Sequence, residues 1–214
     1  MVNLGRIMDT STRIRGETCS AAFSAAQRFR ALPAWFLTKD GYWLYCRLIQ
    51  REDALRLLDF FEQLSSQTRQ LRFHANVDHL DAGITAYHAH NFANVDNLHT
   101  GGAVVAVDFR GGAQQVVGVM RLSAPEDGWA EVAVVVRDDF QGRGVGRALL
   151  QRLPTLAQRM GVHTVIATID AANLPALRLM RQLDYPVTAR TSHAQTELHI
   201  QLSPRQSATH TDLV

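Results

Sequence analysis

Hydrophobic and polar positions along this chain follow two periods, and the changes from one to the other predict its elements. Behind the turn signal Asp40-Gly41, the aromatic and β-branched run from Tyr42 to Ile49 predicts a strand. From Glu52 the pattern turns helical, with Leu55, Leu58, Phe61 and Leu64 on one face. Ser65, ahead of a polar turn, predicts the cap of a second short helix that includes Leu71 and Phe73. Ala103 to Phe109, Gln115 to Leu122 and Trp129 to Arg137 then read as three strands. The turns between them, at 110–112 and 125–128, are short enough to require antiparallel pairing. Val145, Leu149, Leu153, Leu156 and Met160 recur at helical spacing, and Thr164 to Ile169 is again β-branched. Asn173-Leu174-Pro175 opens a further helix, with Leu174, Leu177, Met180 and Leu183 on its apolar face. Val187 to Ala189 and Thr196 to Leu202 predict a terminal hairpin. A strand, a helix and a strand in one sheet imply a parallel crossover. The expected fold is therefore α/β, a mixed, mostly antiparallel sheet flanked by helices.

The two ends differ in character. Residues 1–37 carry scattered Arg, Ser and Thr, then an alanine-rich stretch with Phe23, Ala26 and Phe29, closed by Pro33. This reads as a leader, partly helical or disordered, or as a helix for a partner; it lacks the apolar core of a secretory signal. Residues 203–214 are polar and read as a disordered tail, which leaves 38–202 as the folded domain. Composition agrees with one domain: the 214 residues are 46% hydrophobic and 20% charged, enough to bury a core. The 22 basic and 20 acidic side chains nearly cancel, so charge gives no reason to expect a nucleic-acid partner. No apolar run reaches the roughly 18 residues of a membrane span. Cys19 and Cys46 form neither a disulfide framework nor a metal spacing, which points to a reducing cytoplasm. His79, His88, His90 and His99 lie near Asp78, Asp81 and Asp96, but none shows a diagnostic ligand spacing. A solvated loop and helix is expected there, with no metal.

The chemistry concentrates after the Trp129 strand, where Asp138 and Asp139 precede Gln141-Gly142-Arg143-Gly144-Val145-Gly146 and a helix. Glycines allow a tight turn and close approach of a ligand, and the N–H groups of a following helical turn suit a phosphate. Arg143 and Arg147 add charge. A Walker A loop would need a lysine that is missing, and a dinucleotide fingerprint needs glycines at a different spacing. Gln141, Gly144 and Gly146 do satisfy Q-x-x-G-x-G. A turn of this kind, between a valine strand and an amphipathic helix, resembles the acyl-CoA pyrophosphate loop of the GNAT superfamily of N-acyltransferases.

The resemblance extends further. Gln-Arg-Glu-Asp at 50–53, Phe-Phe-Glu-Gln-Leu-Ser at 60–65 and Leu-Arg-Phe at 71–73 resemble the GNAT domain of bacterial Pat-type protein lysine acetyltransferases, over about residues 39–202. The likeness implies a GNAT fold and acetyl-CoA as co-substrate, with the backbone of Val134, Val135 and Val136 meeting the pantetheine chain as a strand would. It implies a pyrophosphate on Gln141, Gly142, Arg143, Gly144, Val145, Gly146 and Arg147, and a CoA contact from Asn173. It implies an amine acceptor, favouring a protein lysine over a small-molecule amine. Glu131 is the implied base; it is also the only ionisable side chain in the Ala130–Val136 run, and charges rarely face a sheet interior without purpose. A merely solvated Glu131 is the alternative, and a CoA-binding module without catalysis is the non-enzymatic reading. Two departures stand out. Met180 replaces the tyrosine that serves many GNAT enzymes as general acid, leaving water or a residue such as Tyr185. Pro154 is expected to kink or shorten the loop helix.

Overall fold

The computed structural model describes residues 32–73 and 82–202, and the expectations for residues 1–31 of the leader, for the tail and for Asp78, His79 and Asp81 lie outside that range. An eight-stranded sheet runs in the order β1-β2-β3-β4-β5-β6-β8-β7. Its strands are β1 (Ala34–Leu37), β2 (Trp43–Leu48), β3 (Gly102–Asp108), β4 (Gln115–Leu122), β5 (Trp129–Val136), β6 (Thr164–Asp170), β7 (Val187–Ser192) and β8 (Gln195–Gln201). Every neighbouring pair is antiparallel except β5–β6, where the long crossover enforces parallel pairing. The mixed sheet expected from the sequence is present.

The helices are α1 (Ala54–Glu62), α2 (Ser66–Phe73), α3 (Ala82–Ala93), α4 (Val145–Leu150), α5 (Leu153–Arg159) and α6 (Leu174–Arg181). Side chains alternate across each strand, so the sheet buries a core on both faces. One core joins Val104, Met120, Leu122, Ala130 and Val132 to Val145, Leu149, Leu153 and Leu156 of α4 and α5 and to Leu177 and Met180 of α6. The other joins Ala103, Val105, Val119 and Val135 to Leu57 and Phe60 of α1 and Ala89 and Ala93 of α3.

Two features differ from the sequence expectation or sharpen it. Ala34–Leu37 was expected to be part of the leader; instead it forms edge strand β1 and pairs with Leu37↔Trp43 through Ala34↔Cys46. Four residues behind Pro33 are too few to display a period of two, although half-buried Ala34 and Phe36 alternate with exposed Trp35 and Leu37. At Pro154 the expected helix divides. α4 ends at Leu150, and α5 begins at Leu153 with the proline in its first turn, where a missing N–H costs nothing. Arg152 sits at the junction, 2% exposed, and donates from Nη1 to the Ala148 carbonyl at 2.6 Å.

Candidate active site

The site begins with a mismatch in strand pairing. On one side β5 pairs with β4 from Leu122↔Val132 to Gly118↔Val136. On the other it pairs with β6 only through Trp129↔Thr164, Ala130↔Val165 and Glu131↔Ile166. Beyond Ile166, β6 continues through Asp170 in register with β8 alone. The two parallel strands therefore part after Glu131, and Val132–Val136 has no strand partner on its β6 side. Val134 and Val136 pack half-buried on one core, and Val135, 8% exposed, on the other. Their side chains anchor the strand on both faces, and its backbone has no strand partner towards the cleft.

The glycine turn closes the open end of this fork. A 3-10 turn, Asp138–Phe140, follows β5 and buries Phe140. Asp138 accepts hydrogen bonds from the Ser65 N–H (2.9 Å), the Ser65 hydroxyl (2.7 Å) and the Thr68 hydroxyl (2.7 Å). Burial would raise its carboxyl, but these bonds outweigh burial and hold it below the usual range. Asp139 pairs with Arg137 at 2.6 Å. Both acids thus have structural partners. Gln141 donates from Nε2 to the Val136 carbonyl (3.0 Å) and the Thr68 hydroxyl (3.2 Å), which fixes the end of β5.

The three glycines serve two purposes. Gly142 and Gly144 have φ of +72° and +93°, a left-handed conformation that other residues adopt only under strain. Gly146 lies inside α4, where a Cβ would come within 2.9 Å of Leu179 Cδ2; its smallness lets α4 pack on α6. The N–H of Ala148 bonds the Gly144 carbonyl at 2.9 Å, so the N–H groups of Val145, Gly146 and Arg147 precede the first α-helical bond and point outward from the turn. The Val145 side chain is buried, and only its backbone can meet a ligand. Arg147 is exposed and has no ion-pair partner among the described residues. Arg143 is less available: its guanidinium pairs with Asp40 at 2.7 Å and its carbonyl accepts the Lys39 N–H at 3.0 Å. This strap to the β1–β2 turn was not legible in the sequence, because its partners lie about a hundred residues apart.

Asn173 caps α6, its Oδ1 accepting the Ala176 N–H at 3.2 Å. That leaves its side-chain amide N–H groups as donors for a ligand. Glu131 corrects one step of the sequence argument. It is exposed, so it does not face a closed sheet interior. Its position at the last pair before the fork is what singles it out. Met180 is buried in the core and Tyr185 packs half-buried against it. Sequence reasoning passed over Arg121, in register with Ala133 on the Glu131 face, and Arg72 on α2, which lies against β5. An arginine within the apolar run of β4 was the available signal. His88 and His90 are exposed on α3, and no group of metal-ligating side chains occurs among the described residues.

A strand edge left open beside a parallel neighbour can hold an extended amide-bearing chain, and the glycine turn at its end can take a phosphate. That architecture suits a long cofactor with an amide-bearing arm and a phosphate at its far end. Residues 59–185, more than half of the chain, match the model of the Acetyltransferase (GNAT) family, and the chain belongs to that family and is an acyltransferase. It is 28% identical over 173 residues to an acetyltransferase of Pseudomonas aeruginosa, covering 80% of this chain and 87% of the relative. A shorter match, 42% over 60 residues, links it to the L-methionine sulfoximine/L-methionine sulfone acetyltransferase of Salmonella typhimurium, with 28% of this chain and 35% of that protein covered. The GNAT domain of the S. lividans protein PAT superposes with a TM-score of 0.68 at 26% identity, covering 79% of this chain and 96% of that domain.

Proposed function

We propose that this chain transfers an acetyl group directly from acetyl-CoA to a primary amine. The observation that carries the reading is the fork between β5 and β6, open from Val132 to Val136 and ending at the glycine turn. In this reading the pantetheine amides bond the backbone of Val134, Val135 and Val136 as an added strand. The pyrophosphate rests on the N–H groups of residues 142–147, with Arg147 supplying charge, Asn173 donating its amide and Arg143 bracing the turn through Asp40. Gln141 acts through the backbone, holding the Val136 carbonyl in place.

The thioester then lies towards the apex of the fork, beside Glu131. The acceptor arrives largely as an ammonium ion and must lose a proton to attack. Glu131 takes that proton, directly or through one water, and the amine nitrogen bonds the thioester carbonyl carbon. As the tetrahedral intermediate collapses, its nitrogen gives up its second proton to solvent, the C–S bond breaks and the CoA thiolate leaves. Met180 cannot donate, so the thiolate takes its proton from water. A base at the fork favours an enzyme over a silent CoA-binding module. Two acceptor classes have support. The resemblance of the sequence to Pat-type enzymes favours a protein lysine, and the shorter match to a sulfoximine acetyltransferase favours a small-molecule amine.

Calorimetric titration with acetyl-CoA tests the cofactor site. The wild-type chain is expected to bind one equivalent, and Gly144→Val to lose that binding. A side chain at φ +93° carries strain of about 1–2 kcal/mol, so the variant is expected to melt lower yet remain folded. Undiminished affinity in the folded variant removes the pyrophosphate from this turn.

A further inference from the structure

A cation shares the sheet face of the proposed base. Arg121 projects from β4, where it is the register partner of Ala133. Glu131 lies two residues from Ala133, on the same sheet face and diagonal to Arg121. Diagonal neighbours of this kind have Cβ atoms about 7–8 Å apart. The Arg121 guanidinium lies 4.0 Å from the ring centroid of Phe92 on α3, and its Nε is buried with no hydrogen-bond partner. Among the described residues no carboxylate pairs with it, and burial disfavours its charged form. A half-buried cation held on an aromatic face is costly unless something pairs with it.

Arg72 strengthens the field. Burial, then repulsion from Arg121, weaken its hold on the proton, and Glu131 opposes them. Arg121 on β4 and Arg72 on α2, which lies against β5, thus add positive charge to the side of the sheet that carries Glu131. A polycationic acceptor would meet repulsion there. An acceptor whose amine is close to a carboxylate would place the amine at Glu131 and the anion at Arg121, and the guanidinium plane suits a carboxylate in bidentate geometry.

We propose that Arg121, reinforced by Arg72, forms a subsite for a carboxylate carried by the acceptor next to its reacting amine. The proposal rests on the acetyltransferase reading above and narrows its acceptor. The carboxylate comes from a free amino acid or from an acidic residue adjoining a lysine in a polypeptide.

The test uses the full chain with paired acceptors: L-methionine against L-methioninamide, and a lysine peptide with a neighbouring Glu against the same peptide with Gln. The subsite predicts at least a tenfold advantage in kcat/KM for the carboxylate member of one pair, and which pair shows it identifies the source. Arg121→Met, which keeps bulk on Phe92, should collapse that ratio towards one, chiefly through KM. Arg121→Lys should restore part of it; if the methionine variant fails to fold, the fall from wild type to Lys carries the test. Binding of N-acetyl-L-methionine against its amide, and of the acetylated Glu peptide against its Gln counterpart, repeats the comparison without turnover. Equal rates and equal binding within both pairs overturn the subsite, as does a substitution that slows both members alike. Acetyl-CoA titration keeps the two readings apart. Its failure removes the acetyltransferase reading, while the product-binding pairs still judge the subsite.

Discussion

Asp53 shows how much of this molecule depends on single buried charges. It is fully buried, accepts a fork of bonds from Arg47 at 2.6 and 2.7 Å, and also takes the Gln50 N–H at 2.9 Å and Arg56 at 3.1 Å. Burial alone would raise its carboxyl, but the Arg47 and Gln50 hydrogen bonds and the charges of Arg47 and Arg56 hold it below its ordinary value. The sign follows from linkage: the unfolded chain takes up a proton at about pH 3.9 and the native chain only lower. The stabilisation is therefore present above that unfolded value and lost as pH falls through the depressed native one. Asp53→Asn is expected to cost about 3 kcal/mol at neutral pH, leaving Arg47 buried and half-satisfied, and to flatten the acid limb of the stability curve. Urea melts at pH 7 and over the range below 5 check both; an unchanged midpoint would show the cluster contributes little. The sequence offered Asp53 only as part of a family-like Gln-Arg-Glu-Asp string, because its partners are set by how the end of β2 meets α1. Glu131 stood out in the sequence by its isolation among valines, whereas its exposure at the fork was not visible there.

At the level of elements, patterning carried most of the information. β2 through β8, α1, α4 and α6 follow from patterning, but the α1 face expected through Leu55 is turned, since Leu55 is exposed while Leu57 and Phe60 are buried. α3, expected only as a solvated loop and helix, packs Ala89 and Ala93 into the core. Ser65 caps α2 as its position implied, accepting the Thr68 N–H at 3.2 Å. What escaped was an element too short to show a period, β1, and the contacts between distant turns. The glycine turn was legible as a unit, but its glycines looked alike on paper. Gly146 differs from its neighbours because its backbone is helical and only Leu179 opposes a side chain. Gly146→Ala should therefore be close to neutral. Alanine gains up to about 1 kcal/mol of helix propensity, while the flexible end of Leu179 must shift. Gly146→Leu should cost about 1–3 kcal/mol by forcing α4 from α6. Chemical denaturation of the two variants separates these outcomes, and a strongly destabilised alanine variant would mean that α4 and α6 cannot yield at all.

Across the whole molecule, function follows from a change of strand direction. Four antiparallel pairings bring the chain to β5; the crossover through α4 and α5 then returns it as a parallel strand that stays in register for only three pairs. The resulting cleft has backbone along one wall, an anion-suited turn at its mouth and Glu131 at its apex. No residue pattern announces where two strands part, so the cleft itself was not readable from the sequence, although the glycine turn and Glu131 that frame it were visible there. The central claim is that this cleft performs chemistry with Glu131 as base. Glu131→Gln preserves shape and hydrogen bonding but cannot accept a proton at neutral pH. Measured together by calorimetry and by single-turnover acetyl transfer, the variant is expected to keep its acetyl-CoA affinity and lose roughly two to four orders of magnitude in rate, with the loss shrinking as pH rises and the acceptor amine becomes neutral. A folded variant that transfers acetyl groups at the wild-type rate would contradict the account.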